Sequence, residues 1–264
     1  MRPPNTKRDG NAMIATVWGI MIPFLGTALG AACVFFMSGE VKGSVRSALS
    51  GLAGGIMVAA SVWSLLIPAI ERSSHLGRLS FLPAAAGLLC GVLLLLWLDA
   101  VVPRLYAEGA SGDRHGKMLF AVTLHNFPEG MAVGAVFAGI LAGEPGITVA
   151  AGMVLSIGVA VQNFPEGAIV SMPLCSGGMS RGRAFLYGVL SGAVEPLGAL
   201  LTVAAVGIVV PILPFLLGLA AGAMLYVVAE ELIPDVAESG HARVGNILFA
   251  VGFTLMMMLD VALG

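Results

Sequence analysis

The sequence predicts an all-α polytopic membrane protein with eight transmembrane helices. Hydrophobic residues make up 58% of the chain and charged residues only 11%, whereas soluble domains contain about 25% charged residues. The mean hydropathy is +0.97, and apolar runs long enough to cross a bilayer recur along the chain. The 36 glycines favour close helix packing, because small residues let backbones approach one another.

Short polar segments divide the chain into its predicted spans. These are residues 13–37, 48–70, 81–101, 118–140, 147–173, 183–209, 211–234 and 243–263. The first run is too long for the apolar part of a cleavable signal peptide, so it counts as a span. Pro211 and Pro214 separate the sixth span from the seventh. Residues 1–264 are therefore expected to form a single transmembrane domain.

The basic residues and one short repeat predict the topology. With both termini outside, most Lys and Arg fall in cytoplasmic loops, as the positive-inside rule requires. Leu66-Ile67-Pro68 ends the second span and Leu232-Ile233-Pro234 ends the seventh. An odd number of spans lies between them, so these similar ends face opposite sides of the membrane. We therefore expect a 3+2+3 inverted repeat, in which spans one to three and six to eight flank a central pair.

The central pair contains two related polar hexapeptides, 125–130 (HNFPEG) and 162–167 (QNFPEG), which begin 37 residues apart. Residues four apart share a helix face, so His125 lies beside Glu129 and Gln162 beside Glu166, with Asn126 and Asn163 on the flanks. Each motif contains a proline, which cannot donate to the carbonyl one turn earlier. The pattern predicts kinked helices with free carbonyl oxygens beside a polar stripe.

A third carboxylate, Glu195, stands next to Pro196 deep in the sixth span. Three intramembrane glutamates repel one another unless a positive charge lies among them. No Lys or Arg lies near the middle of any span, so a bound divalent cation is the simplest counter-charge. One imidazole with carboxylate and amide oxygens suits Zn²⁺ and also accepts Cd²⁺, Fe²⁺ or Mn²⁺.

At these residues the chain resembles the ZIP (Zrt-, Irt-like protein) family of divalent metal transporters, and more closely its prokaryotic GufA-like branch. The resemblance extends over essentially the whole chain and includes Glu-Glu-Leu-Ile-Pro in the seventh span. It implies a binuclear centre with two metal positions. The first position would be held by His125, Glu129, Gln162 and Glu166, and the second by Asn126, Asn163 and Glu195, with Glu129 and Glu166 bridging.

Two positions depart from the pattern of the family. Many members have His where this chain has Gln162, and some relatives have Asp where it has Asn163. Fewer nitrogen and charged ligands should weaken the centre and its preference for zinc.

The resemblance implies import of divalent metal into the cytoplasm by an elevator-type alternating-access mechanism. Spans one, four, five and six would move against two, three, seven and eight, in a homodimer of the inner or plasma membrane. The partners would be metal ions and lipid, and the formal net charge of −2 gives no sign of a nucleic-acid partner. Two alternatives remain: an intramembrane dinuclear metalloenzyme with a metal-activated water, and a proton-coupled metal carrier of opposite direction.

Four acidic residues outside the centre are peripheral candidates. Asp99 and Asp260 lie near the ends of the third and eighth spans, toward the cytoplasm and the outside respectively. The resemblance suggests an entrance role for acidic residues such as Asp260, and a solvated helix end is the alternative. Glu230 and Glu231 in the seventh span are candidates for an exit-side metal site or for interfacial residues.

Overall fold

The structure, a computed structural model, describes residues 6–36, 42–107 and 114–263, and places side chains within 12–36, 42–101 and 126–262. In these ranges every regular element is helical. The α-helices are α1 Thr6–Ala31, α2 Cys33–Phe36, α3 Gly43–Ala60, α4 Ile67–Arg72, α5 Leu82–Ala107, α6 Arg114–Leu141, α7 Val149–Ser176, α8 Arg181–Gly192, α9 Val194–Ala204, α10 Val206–Val209, α11 Leu213–Val227, α12 Ile233–Glu238 and α13 Ala242–Leu263. Segments Ser74–Leu79 and Val210–Ile212 are 3₁₀ turns, and Ser61–Leu66 and Val228–Leu232 are π-helical.

Seven segments of the described chain are long and apolar enough to cross a membrane. They are Ala12–Phe36, Gly43–Arg72, Leu82–Val101, Val149–Ser176, Arg181–Ala204, Val206–Glu238 and Ala242–Ala262. The predicted fourth span falls in α6, a helix of 28 residues whose described part includes the apolar segment Asn126–Leu141. The chain is an all-helical, multi-pass membrane protein.

The boundary between the sixth and seventh spans differs from the prediction at 210. Helix α9 ends at Ala204, and Ala205 leaves the helical conformation with φ −91° and ψ 22°. Pro211 and Pro214 lie beyond this break, in the first turns of the segments that follow it. Proline is tolerated there because the first helical N–H groups have no partner within the helix. The division between the sixth and seventh spans is therefore at Ala205, and both prolines lie inside the first part of the seventh span.

The spans pack in four principal pairs: α1 with α7, α3 with α13, α5 with α11, and α6 with α9. Glycines bring the backbones of these pairs into contact. A Cβ atom added to Gly55 of α3 would lie 2.0 Å from the carbonyl oxygen of Phe249 on α13. One added to Gly222 of α11 would lie 2.1 Å from the carbonyl oxygen of Leu88 on α5. Packing of this kind allows close van der Waals contact between helices in lipid.

The α3–α13 and α11–α5 contacts correspond in register. Gly51 and Gly55 meet the carbonyls of residues 245 and 249, while Gly218 and Gly222 meet those of residues 84 and 88. In both spans a π-helical segment then leads directly into Ile-Pro, at Pro68 and at Pro234. Each proline leaves the carbonyl one turn earlier without its usual helical donor, which explains why the turn widens at these two points.

Most of the side-chain hydrogen bonds between spans that the described residues show belong to two sets. One set joins α1, α2, α6, α7, α8 and α9 and includes the bond from Thr27 to Glu195. The other joins the segments of α3, α5, α11, α12 and α13 and includes the bond from Ser50 to Asp235. Arg72 links the two sets at one end of the bundle, since it forms an ion pair with Glu144 and donates to the carbonyl oxygen of Pro145 at 2.9 Å.

We expect Gly91→Ala to separate α5 from α11. A Cβ at position 91 would lie 2.1 Å from the carbonyl oxygen of Leu219, and overpacking of this kind costs about 1–3 kcal/mol. The melting temperature of the purified protein in detergent should fall. Gly182→Ala is the matched control, because no heavy atom lies within 4 Å of the added Cβ there. Equal melting temperatures for the two variants would contradict the packing.

Candidate metal centre

Five of the predicted site residues converge between three helices. Asn126 and Glu129 lie on α6, Gln162 and Asn163 on α7, and Glu195 in the first turn of α9. All five side chains are 3% exposed or less. Both α6 and α7 continue as helices through Pro128 and Pro165. Between α8 and α9, Ala193 keeps helical dihedral angles (φ −65°, ψ −16°), and its N–H donates to the carbonyl of Leu190 instead of the one a full turn earlier, just before Glu195.

Hydrogen bonds connect these side chains across the helix boundaries. Gln162 Nε2 donates to Glu129 Oε1 at 2.8 Å, and Asn163 Nδ2 donates to Glu195 Oε2 at 2.7 Å. Asn126 Nδ2 donates to the backbone carbonyl of Ser191 at 3.1 Å. Each amide therefore uses its NH₂ group within the protein.

The oxygens on the other side of this network are buried without a donor. They are Asn126 Oδ1, Glu129 Oε2, Gln162 Oε1 and Asn163 Oδ1, none of which has a hydrogen-bond partner among the described residues. Leaving a buried acceptor unpaired costs about 1–3 kcal/mol. All four atoms are oxygen acceptors, so a cation is the kind of ligand that satisfies them together.

Glu166 and His125 complete the predicted ligand set in different ways. Glu166 is half-buried on α7, one turn beyond Gln162. His125 is in α6, but its side chain lies outside the described residues. Where side chains are described, no three His, Cys, Asp or Glu residues lie close enough together to hold a metal ion. Amide groups intervene between the carboxylates instead.

Thr27 on α1 is a member of this network that sequence reasoning missed. Its hydroxyl donates to Glu195 Oε1 at 2.8 Å, and the side chain is fully buried. A single threonine in an apolar span has no pattern that distinguishes it from a packing residue. The nearest sequence signal is the predicted inverted repeat, in which the first span would correspond to the sixth.

Asp260 and Asp99, the two peripheral aspartates, each accept a hydrogen bond from the neighbouring span. Ser64 Oγ donates to Asp260 Oδ1 at 2.7 Å, and Tyr226 OH donates to Asp99 Oδ2 at 2.7 Å. Asp260 is 8% exposed, and its Oδ2 is buried without a partner among the described residues. A cavity of about 250 Å³ opens beside it, with Ser64 and Glu71 among its lining residues.

Glu230 and Glu231 lie within the π-helical segment Val228–Leu232 and are exposed. The seventh span therefore carries both peripheral glutamates in the π-helical turn just before Ile233-Pro234.

The fold and this site define a class: a multi-pass membrane protein with a buried, oxygen-rich centre suited to a divalent cation. The family model described as ZIP Zinc transporter matches residues 117–260. Among relatives, the chain is 38% identical to zinc transporter GufA of Myxococcus xanthus, over 90% of this chain and 94% of the relative. It is also 38% identical to zinc transporter ZIPB of Bordetella bronchiseptica, over 91% and 79% of the two chains.

A more distant relative covers nearly the whole length: zinc transporter ZIP11 of Xenopus tropicalis is 31% identical, over 97% of this chain and 99% of the relative. The chain belongs to the ZIP family. The predicted family is confirmed, and with it metal transport as the general function. Because this family consists of transporters, the chain is not an enzyme, and the metalloenzyme alternative is set aside.

We expect Zn²⁺ to raise the melting temperature of the purified protein, because a ligand that binds only the folded state stabilises it by about 2.7 kcal/mol at a hundred times its Kd. Glu129→Gln removes one charged ligand atom but can still accept from Gln162, so its zinc-dependent shift should be much smaller. Glu238→Gln, at an exposed site, should shift as the wild type does. A shift of equal size in Glu129→Gln would place the bound zinc elsewhere.

Proposed function

We propose that this protein imports divalent transition metal, Zn²⁺ first, into the cytoplasm through the intramembrane centre around Glu129, Gln162 and Glu195. The main support is the set of four buried oxygen acceptors that have no described donor. The relatives are named as zinc transporters, which supports the choice of metal. Cd²⁺, Fe²⁺ and Mn²⁺ are the other ions that this ligand set would accept.

The centre would hold two ions. His125, Glu129, Gln162 and Glu166 would form the first position, and Asn126, Asn163 and Glu195 the second, with Glu129 and Glu166 bridging. The unpaired oxygens of Gln162 and Asn163 support this division, because the two residues are adjacent on α7 and each has its NH₂ group already engaged. Binding would then need only small movements of the carboxylates.

We propose an elevator-type cycle in which spans one, four, five and six move as one body against two, three, seven and eight. The two sets of hydrogen bonds between spans support these bodies. The contact between the bodies is apolar where Gly158 of α7 meets Met256 of α13 and Ile56 of α3. Apolar side chains have no directional bonds that must break during sliding. The Arg72–Glu144 ion pair would break in one of the two end states of the transport cycle.

The eight-span, 3+2+3 inverted repeat is part of the proposal. The matching register of the α3–α13 and α11–α5 contacts supports it. So does a second correspondence, at the centre: Gly130 meets the carbonyl of Glu195, while Gly167, its counterpart in the second hexapeptide, meets the carbonyl of Thr27. We propose both termini outside, a location in the inner or plasma membrane, and a homodimer. The least buried spans, Leu82–Val101 and Ala242–Ala262, leave apolar surface for lipid or a second copy.

Asp260 and Asp99 would act at the two mouths of the path. The carbonyls of Phe249 and Leu88 meet Gly55 and Gly222, respectively. Asp260 follows Phe249 by the same number of residues as Asp99 follows Leu88. The repeat therefore pairs an outer carboxylate with an inner one. We propose Asp260 and its cavity as the entrance, with Asp99, Glu230 and Glu231 on the exit side.

We expect Glu129→Ala and Glu166→Ala each to abolish zinc uptake into proteoliposomes, because each removes a bridging carboxylate. Size-exclusion chromatography would verify that the variants remain folded. Glu238→Ala, an exposed carboxylate near the end of α12, is the matched control and should retain wild-type flux. Undiminished flux in both glutamate variants would refute the proposed site. The same vesicles with an imposed pH gradient and reversed metal gradient test the alternative, a proton-coupled carrier that moves metal outward.

We expect Gln162→His to shift selectivity toward zinc, because an imidazole nitrogen favours Zn²⁺ over Mn²⁺ more than an amide oxygen does. The measurement is competition by Zn²⁺, Cd²⁺, Fe²⁺, Mn²⁺, Co²⁺ and Ni²⁺ against radioactive zinc uptake. The half-inhibitory concentration of Mn²⁺ should rise relative to that of Zn²⁺. An unchanged order of competition would mean that Gln162 does not contact the ion.

A further inference from the structure

Glu195 differs from its neighbours in the way its oxygens are used. Glu129, Gln162, Asn163 and Asn126 each have one polar atom in the hydrogen-bond network and one oxygen without a described partner. Glu195 is equally buried, but both of its carboxylate oxygens accept a hydrogen bond. The second metal position therefore contains one carboxylate on which each oxygen already accepts one hydrogen bond.

The two donors to Glu195 come from different helices and have different chemistry. Asn163 lies on α7 and is itself in the proposed ligand set, so its amide donates while its own oxygen stays available. Thr27 lies on α1, at 2.8 Å from Glu195 Oε1, and belongs to neither metal position. Its hydroxyl is held in place by tight packing, since a Cβ added to Gly192 would lie 2.8 Å from the Thr27 Cβ.

The internal repeat explains why a hydroxyl occurs here. The carbonyl of Thr27 meets Gly167 as the carbonyl of Glu195 meets Gly130. Three residues further along, Gly30 meets the carbonyl of Phe164 as Gly198 meets that of Phe127. Thr27 thus occupies in the first span the position that Glu195 occupies in the sixth, and the two side chains meet where the halves join.

We propose that Thr27 is a positioning residue that sets how tightly the second metal is held. Its hydroxyl uses one lone pair of Glu195 Oε1 and draws negative charge away from that oxygen, so Glu195 attracts the second metal less strongly than a carboxylate without this donor would. This keeps the second ion weakly bound and readily released. The inference rests on the proposed binuclear centre, and it adds a control element on α1 that is not itself a ligand.

The test measures both metal-binding steps on the purified full-length protein in nanodiscs, by isothermal titration with Zn²⁺ and metal analysis after dialysis. Thr27→Val removes the donor and nearly preserves the shape of the side chain, and Thr27→Ala removes it without adding bulk beside Gly192. Because a hydrogen bond to a charged group is among the stronger ones, the second dissociation constant should fall roughly tenfold or more, while the first changes little.

Two further variants separate this role from a structural one. Thr27→Ser keeps the hydroxyl and should restore wild-type binding. Thr202→Val removes another buried hydroxyl, on the same helix as Glu195, whose bond goes to the carbonyl of Gly198 at 2.8 Å; it should leave both constants unchanged. In zinc flux, Thr27→Val should lower KM and also lower the maximal rate, because release becomes slower.

The result that overturns the proposal is a second dissociation constant that is unchanged or weaker in both Thr27→Val and Thr27→Ala, with the first step intact. The proposal would also be overturned if Thr27→Ser or Thr202→Val changed the second dissociation constant as Thr27→Val does. The hydroxyl that donates to Glu195 would then not be the cause of the change. Failure of the binuclear centre itself is distinguishable: the wild type would bind fewer than two zinc ions, and Glu129→Gln would not alter binding.

Discussion

Burial of acceptor oxygens at membrane depth is the constraint on which the rest of this structure depends. A carboxylate removed from water is costly unless donors or a cation surround it. Here the donors to Glu129 and Glu195 come from other helices, through Gln162, Asn163 and Thr27. Satisfying two carboxylates therefore gathers α1, α6, α7 and α9 into one bundle and leaves four buried oxygens without a partner among the described residues. The same requirement that organises the bundle supports the proposed cation site.

Close backbone contact holds this chemistry in position. In lipid there is no hydrophobic force between helices, so association depends on packing and on interhelical hydrogen bonds. Gly130 lies against the carbonyl of Glu195, and Gly167 lies against that of Thr27, so the polar side chains and the glycines stabilise the same contacts. Between the two sets of spans the contact at Gly158 is apolar. An assembly with directional bonds inside each set, and with apolar contact between the sets except at the Arg72–Glu144 end, is suited to relative movement.

The centre combines a nearly symmetric frame with asymmetric chemistry. The two hexapeptides repeat the glutamate, proline and glycine, but Gln162 stands where the first motif has His125. In the flanking spans the difference is larger, because Thr27 stands opposite Glu195. A hydroxyl donates to a carboxylate where a second carboxylate would repel it. The asymmetry thus lowers the charge that the protein must bury and leaves fewer charged ligands for metal, as expected of a site that an ion leaves again.

The membrane class, most of the spans and the five polar residues that converge between α6, α7 and α9 could be predicted from the sequence. These follow from apolar run length and helical periodicity, which are properties of neighbouring residues. The tertiary structure decided the break at Ala205, the π-helical segments and the bond between Thr27 and Glu195, residues 168 positions apart. No local pattern distinguishes Thr27 from other small residues in an apolar span. Its role exists only where two distant helices pack closely enough for a hydroxyl to reach a buried carboxylate.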